Sequence, residues 1–214
     1  MSKRYAQVLV FVTSAAVLVL EILAGRLLAP YVGVSLETFT GIIGTILAGI
    51  AVGAAVGGYL ADRHDPNKLI GPALILGGIL AWSSIPIVTA LGPGFGSAVP
   101  AIVLLSFFGF FPFALVLTAI SPMVAKLRLQ SLNETGEVVG GLSAAGTFGA
   151  LFGTFFTGFV LVSAAPTRPI VLAVGLGLVV WGVVFSLRRG TRERPSPGYG
   201  IAAVAVLALA LGSS

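Results

Sequence analysis

The chain of 214 residues has no cysteine, one histidine and few charged side chains. The absence of cysteine excludes disulfides and thiolate chemistry. A charged fraction of 9% is too low for a soluble domain of this size, because such a domain needs a charged surface. The hydrophobic fraction of 57% and the mean hydropathy of +1.09 are typical of an integral membrane protein.

The chain also lacks the alternating apolar and polar pattern of β-strands. Inside a bilayer every backbone polar group has to be satisfied within the protein, which restricts spanning structures to helices and closed barrels. The apolar segments are too long and too evenly apolar for barrel strands. The sequence therefore predicts an all-α integral membrane protein, with residues 1–214 forming a single helical transmembrane domain.

Seven segments are candidates for transmembrane helices, each of which needs roughly 20 apolar residues. Turns rich in proline and glycine separate them. The seventh segment has a short apolar run, Ile201 to Leu211, and the chain stops at Ser214, so either preceding residues such as Tyr199 complete the helix or, as we expect, the natural protein continues. The predicted spans are 5–28, 39–60, 69–91, 98–120, 138–162, 170–187 and 199–214.

The basic residues are distributed unevenly between the two sides of the predicted bundle. If the N-terminus is cytoplasmic, only Arg26 and Arg168 fall on the outer side. The rule that cytoplasmic loops carry the positive charge predicts this orientation, in a multi-pass protein of the cell membrane. The net charge of +5 then reflects these loops, so the expected partner is the lipid bilayer and not nucleic acid. The basic residues placed inside are Lys3, Arg4, Arg63, Lys68, Lys126, Arg128, Arg188, Arg189, Arg192 and Arg194.

Glycines recur at four-residue spacing in two of the predicted helices. The second helix has Gly49, Gly53 and Gly57, and the fifth has Gly149 and Gly153. The two helices hold the same place in successive groups of three, as an inverted repeat requires. Such glycines let another helix approach closely. They predict either packing within one bundle or a sliding surface or dimer seam.

Glu21 is an acidic residue within a long apolar segment, where a carboxylate is costly unless it is protonated, paired or facing water. Arg26 lies five residues later, which is about 140° around a straight helix, so the two side chains are not expected to pair. Glu21 is a candidate proton or cation site, with a structural ion pair as the alternative. For Arg26 the alternative to substrate binding is an interfacial anchor.

Two further residues complete the candidate substrate-binding set at the outer side. Tyr31 follows the first helix and also suits an interfacial aromatic belt, as do Trp82 and Trp181. Glu37 precedes the second helix, where a negative charge is favoured by the helix dipole. If Glu21 and Glu37 approach one another, they form an acidic vestibule for a cation.

The segment GGYLADRHDPNKL, at the end of the second helix, predicts a gate. It resembles the loop between the second and third helices of the major facilitator superfamily. Gly58 would allow close helix approach, and Asp62 would accept hydrogen bonds from the N-terminus of a neighbouring helix. Arg63 and Lys68 would hold the cytoplasmic face, and breaking these contacts would open it. The alternative is an ordinary basic loop.

Chemistry of other kinds has no support in the sequence. There is no nucleophile with a base, no metal-ligand cluster and no phosphate-binding loop. The solitary His64 lies in a predicted exposed turn. We therefore predict no catalytic residue, no metal and no cofactor in this chain, while its relation to an enzyme stays open.

Longer motifs resemble one family over nearly all of the first six helices. The motifs are EILAGRLLAPYVGVSLETFTGIIG, GGYLADR, SPMVAKL and GGLSAAGTFGALFGTFFTGFVLV. They resemble the membrane domain of spermidine-synthase-like proteins, in which a bundle related to half of a major facilitator precedes an aminopropyltransferase-like domain. The matched positions are Glu21, Arg26, Pro30, Gly33, Asp62 and Arg63, with Tyr31 at an aromatic position and Phe39 where tryptophan is frequent.

The resemblance implies an involvement with polyamines or related compounds. The soluble domain is missing from this chain, so its catalytic activity does not carry over. The leading expectation is a half-facilitator bundle that binds or transports a small organic cation such as a polyamine, with Glu21 as its charge partner. A homodimer would cover the open side of such a bundle. The alternative is a membrane anchor or assembly module for an aminopropyltransferase, without transport.

Overall fold

The computed structural model describes residues 1–94, 99–129 and 135–189, and the predicted segment 199–214 lies outside this part of the chain. Its long elements are all α-helices. A 3₁₀ turn, Gly92–Gly94, follows α3, and a π-helical turn, Thr157–Leu161, joins α6 to α7. The α-helices are α1 (Lys3–Val32), α2 (Leu36–Arg63), α3 (Pro66–Leu91), α4 (Val99–Thr118), α5 (Ile120–Arg128), α6 (Thr135–Phe156), α7 (Val162–Ala164) and α8 (Thr167–Arg189).

Six helical segments in the described residues are long and apolar enough to cross a membrane. This confirms the prediction of a helical, multi-pass membrane protein. Each predicted segment from the first to the sixth falls largely within one of these longer segments. We call the side of the bundle at which α1 begins the N-side, and the opposite side, at which α1 ends, the far side. The six segments are Lys3–Val32, Leu36–Arg63, Pro66–Gly94, Val99–Arg128, Thr135–Ala164 and Thr167–Arg188.

Polar residues between the apolar segments define where the helices begin. The hydroxyl oxygen of Ser2 accepts from the backbone N–H of Tyr5, and that of Ser35 accepts from Thr38 N–H. The carboxylate oxygen Oδ1 of Asp65 accepts from the backbone N–H of Asn67 at 2.9 Å. These N-caps satisfy backbone donors that have no partner within the helix. Gly33 ends α1 with φ = +79°, a conformation that favours glycine.

The fourth membrane segment is longer than the sequence predicted. The predicted span 98–120 stops just before Ser121 and Pro122, but the chain remains helical to Arg128, with α5 following α4 after a break at Ala119. Pro122 lies in the first turn of α5, where the missing N–H of proline is tolerated. This continuation carries Lys126 to the N-side.

The bundle is assembled from three main helix pairs. α1 packs on α6, α2 on α4 and α3 on α8, while α1 and α3 also contact α4. Trp82 lies in the α3–α8 contact at 2% exposure, and its Nε1–H donates to the carbonyl oxygen of Leu172 at 3.0 Å. The prediction that Trp82 belongs to an interfacial belt was therefore wrong. Its large apolar ring and its single donor are both satisfied inside the bundle.

Candidate functional site

The contact between α2 and α4 is built on the predicted glycines. Gly49, Gly53 and Gly57 are buried on α2. A Cβ added at Gly53 would overlap the carbonyl oxygen of Leu115, and one at Gly57 would overlap that of Ala119. The two helix backbones therefore approach more closely than any larger side chain allows.

The contact between α6 and α1 repeats this arrangement. Gly149 and Gly153 are buried on α6. A Cβ at Gly149 would overlap the carbonyl oxygen of Phe11, and one at Gly153 would lie 2.5 Å from that of Ala15. Of the two alternatives for these glycines, packing within the bundle is confirmed, because their faces are occupied by other helices of the same chain.

The two contacts are related by a constant difference of 100 in residue number. The first contact includes Gly53 and Leu115. Adding 100 to the first number and subtracting 100 from the second gives Gly153 and Ala15, which belong to the second contact. Several residue types recur at the same offset, a signal that our sequence analysis noticed only for the glycines. The identical pairs in α2, at the start of α3 and in their counterparts include Glu37 and Glu137, Gly41 and Gly141, Gly58 and Gly158, and Pro66 and Pro166.

Polar contacts at the two ends of the bundle follow the same offset. On the N-side, Lys126 Nζ donates to Asp62 Oδ1 at 2.7 Å. On the far side, Arg26 Nη1 donates to the carbonyl oxygen of Val162 at 3.4 Å. Asp62 therefore accepts from a lysine side chain and not, as predicted, from the N-terminus of a helix.

The predicted gating residues lie together at the N-side end of α2. The Arg63 guanidinium stacks on the Tyr59 ring, 3.5 Å from its centroid. No heavy atom lies within 4 Å of a Cβ built on Gly58, so the expected close approach there was wrong, and Gly57 makes it instead. Lys68 is exposed in the first turn of α3, and its predicted part in the gate stays a prediction.

Glu21 is half-buried on α1. Within the described part of the chain, its carboxylate has no hydrogen bond or ion pair. Arg26 contacts the Val162 carbonyl, which agrees with the prediction that the two side chains do not pair. The structure thus places a carboxylate in a membrane segment without supplying a cation from the described residues.

Glu21 continues a row of polar residues along α1. Lys3, Gln7, Ser14 and Glu21, which we call the α1 polar line, fall within about 40° of one another on a helix with 3.6 residues per turn. Lys3 pairs with Glu137, and Gln7 and Ser14 lie beside glycines of α6. This line was not predicted from the sequence, although the seven-residue spacing of Gln7, Ser14 and Glu21 could have revealed it.

The second half of the chain has no equivalent of this line. The offset of 100 places four other residues at the corresponding positions, and only the last of them is polar. The α1 polar line therefore distinguishes one side of an otherwise repeated arrangement. The four residues are Val103, Phe107, Ala114 and Ser121.

The other two candidate binding residues lie near the far side. The Tyr31 ring packs against Gly92 at the end of α3. Glu37 is exposed in the first turn of α2, at a groove of about 600 Å³ between α2 and α4. Gly25 faces Phe39, so these two residues lie at the same level of the bundle. Glu21 is four residues below Gly25 on α1 and Glu37 is two residues above Phe39 on α2, so the helical rise separates the two carboxylates by about 9 Å along the bundle axis. No interaction between these carboxylates is found among the described residues.

Metal binding has no support in the described ranges, which hold no group of three acidic, histidine or cysteine residues placed to bind an ion. Comparison with protein-family models, with curated proteins and with solved structures found no match for the chain. The function is therefore argued from the geometry of α1 and its neighbours.

Proposed function

We propose that this membrane protein binds a small organic cation at Glu21 and carries it across the bilayer. The observation that supports this most directly is the half-buried Glu21 carboxylate, which has no cationic partner among the described residues. Ionisable residues inside membrane segments are costly and commonly belong to substrate or ion pathways. An ammonium group would supply the missing partner.

The α1 polar line extends this site towards the N-side. The side-chain oxygens of Gln7 and Ser14 can accept hydrogen bonds from an ammonium group, and their spacing suits a flexible cation with several such groups. Lys3 would repel a cation, but its charge is matched by Glu137. We infer that the substrate class includes linear polyamines, as the resemblance to spermidine-synthase-like proteins also implies.

The repeated contacts support an architecture like one half of a major facilitator. If the first three membrane segments are exchanged with the last three in order, α1 takes the place of α4, α2 of α6 and α3 of α8. This exchange turns the pair α1–α6 into α4–α2 and leaves the pair α3–α8 unchanged, so the same three contacts remain. Transporters built from inverted repeats bind substrates near the middle of the membrane, where the repeats meet. Glu21 lies about 27 Å along α1 from Lys3, well inside the membrane segment.

The N-side is then the cytoplasmic side, and the cell membrane is the proposed location. Asp62, Arg63 and Lys68 remain the proposed gating group on this side, with Lys126 added to it, and Gly57 replaces Gly58 as the glycine that packs on α4. Its ion pair with Asp62 is exposed and can break at little cost, as a gate requires. Arg26, Tyr31 and Glu37 remain proposed residues of the far-side entrance.

The test is uptake of radiolabelled spermidine and putrescine into liposomes containing the purified protein. We expect saturable uptake by the wild type and its loss in Glu21→Gln. Glu21→Asp is the matched control, because it keeps a carboxylate at this position of α1, and it should retain transport at saturating substrate. Absence of uptake at every pH gradient, together with absence of spermidine binding by calorimetry, would remove the proposal.

One contact favours the alternative, a non-transporting anchor or assembly module. Arg26 joins α1 to the segment after α6 through the Val162 carbonyl, which is a structural role. In this case Arg26→Gln and Glu21→Gln would change folding or assembly, and neither the wild type nor the variants would bind a polyamine. The same binding experiment therefore separates the two functions.

A further inference from the structure

The outward face of α6 and of the π-helical turn after it is aromatic, and no other described residue covers it. Phe148, Phe152, Phe155 and Phe159 are all more than half exposed, and Phe159 reaches 76%. Together with Phe11 they border a groove of about 550 Å³ on the surface of the bundle. Gly149 and Gly153 hold the other face of α6 against α1, so this aromatic face is available to a neighbouring molecule.

The outward face of α2 has the complementary shape. Five exposed residues follow one another along this face, and none is larger than threonine. α2 is held against α4 by its buried glycines, so these five small residues point away from the bundle core. They leave a shallow channel into which large side chains can fit. The residues are Thr40, Gly44, Ala48, Ala51 and Ala55.

The large and small residues lie at matching heights in the membrane. Arg63 ends α2 on the N-side, and Glu137 lies in the first turn of α6 on the same side. Ala48 and Phe152 are each 15 residues from these ends, or about 22 Å along the helix axis. Gly44 is 19 residues from Arg63 and Phe156 is 19 residues from Glu137, so these two residues also lie at the same height.

The charges at the ends of the two faces are complementary as well. If α2 of one copy lies along α6 of another, Arg63 meets the partner's Glu137 on the N-side, where this exposed carboxylate also pairs with Lys3 of its own chain. On the far side, Glu37 comes level with Val162 at the start of α7, whose carbonyl oxygen accepts a hydrogen bond from Arg26. Glu37 has no ion pair within the described residues of its own chain, so Arg26 of the partner subunit would provide one.

We propose that the chain forms a two-fold symmetric homodimer in the bilayer, in which α2 of each copy packs against α6 of the other. The interface is isologous, since the same two faces meet twice. Close packing of large side chains against small ones is what favours helix association in lipid. The proposed dimer does not depend on cation binding.

The absence of cysteine makes crosslinking a direct test. One tagged copy carries Ala48→Cys, and a second copy with a different tag carries Phe152→Cys. We expect a disulfide-linked product containing both tags after mild oxidation of native membranes. Leu176→Cys on α8 replaces Phe152→Cys in the control, because Leu176 is 52% exposed and Phe152 is 51% exposed. Equal crosslinking of the control pair would overturn the proposed interface.

Charge exchange provides a second test that does not need crosslinking. Arg63→Glu alone and Glu137→Arg alone each place like charges together twice in a homodimer. A mixture of the two variants restores attraction at both contacts, while any damage within one chain remains. We expect energy transfer between fluorescently labelled copies in liposomes to fall at least twofold for each single variant and to recover in the mixture.

Counting subunits decides between a second copy and lipid on this face. Wild-type protein, labelled at its N-terminus and diluted into excess lipid, should bleach in two steps in most single particles. One-step bleaching under these conditions would show that lipid or another protein covers the aromatic face. One-step bleaching would overturn the homodimer, and this test uses only the wild type, so it does not depend on whether the substituted variants fold.

Discussion

Arg26 and Lys126 are 100 residues apart and make equivalent contacts at opposite ends of the bundle. Arg26 on α1 reaches the carbonyl oxygen of Val162 on the far side, and Lys126 on α5 reaches Asp62 on the N-side. The two acceptors are themselves 100 residues apart. The position is therefore repeated, but its chemistry is not, because one acceptor is a charged carboxylate and the other is a neutral backbone carbonyl.

This difference predicts that only the N-side contact depends strongly on salt. A double-mutant cycle with Asp62→Asn and Lys126→Gln should give a favourable coupling in thermal unfolding at low ionic strength. The coupling should vanish in 1 M KCl, where the screening length is about 3 Å. Arg26→Gln is the comparison, since its effect should be nearly the same at both salt concentrations. A coupling that is absent at low salt would contradict the ion pair.

The glycine contacts predict a sharp contrast between neighbouring residues of one helix. Gly53→Ala should lower the free energy of unfolding by about 1–3 kcal/mol, because its Cβ meets the backbone of α4. Gly58→Ala has open space and should be neutral or stabilising, by up to about 1 kcal/mol. Unfolding monitored by circular dichroism in mixed micelles would measure both.

The offset of 100 provides an independent repetition of that experiment. Gly153→Ala should behave like Gly53→Ala, and Gly158→Ala should behave like Gly58→Ala, since nothing lies within 4 Å of a Cβ at Gly158. If Gly153→Ala is tolerated as well as Gly158→Ala, the close contact of α6 with α1 is not needed for stability.

Composition and hydropathy were enough to predict the helical membrane class. They could not predict which face of each helix points inwards. A membrane helix is apolar all round, so the periodicity that reveals the buried face of a soluble helix is weak. Gly57 and Gly58 illustrate the problem, because the four-residue spacing favoured Gly57 and the facilitator-like loop favoured Gly58, and the structure shows that Gly57 meets α4.

The candidate site was predictable in its residues but not in their partners. The lone acidic residue Glu21 is evident from its apolar surroundings. The partner of Asp62 is Lys126, 64 residues away, and the assumed end of the helix at Pro122 concealed it. Trp82 was misassigned because tryptophan suits both an interface and a core, and only its contact with the Leu172 carbonyl decides between them.

Trp82 leads to a prediction about the α3–α8 contact. Trp82→Phe removes the hydrogen bond to Leu172 and should cost about 0.5–1.5 kcal/mol, whereas Trp82→Ala should cost about 3–5 kcal/mol because it also leaves a cavity. The chain has two tryptophans, so Trp181→Phe isolates the fluorescence of Trp82. We expect short-wavelength emission that aqueous quenchers do not reach. Efficient quenching by iodide would contradict its burial.

We expect the Glu21 carboxylate to lower the stability of the protein and to be required for spermidine binding. Replacing its carboxylate by the amide in Glu21→Gln keeps the shape and removes a charge that is half-buried without a partner among the described residues. The free energy of unfolding should rise by up to about 2 kcal/mol, less than the full insertion cost of a carboxylate at the bilayer centre. Spermidine should stabilise the wild type against heat and leave Glu21→Gln unchanged, because a ligand stabilises only the state that binds it.

Glu21→Asp is the control for this prediction. It keeps a carboxylate at this position of α1, so it should be about as stable as the wild type and should preserve the thermal shift with spermidine. A structural Glu21 would give the opposite pattern, with Glu21→Gln less stable than the wild type and no spermidine effect on either. The sign of the stability change in Glu21→Gln therefore reports the role of this carboxylate even before a substrate is identified.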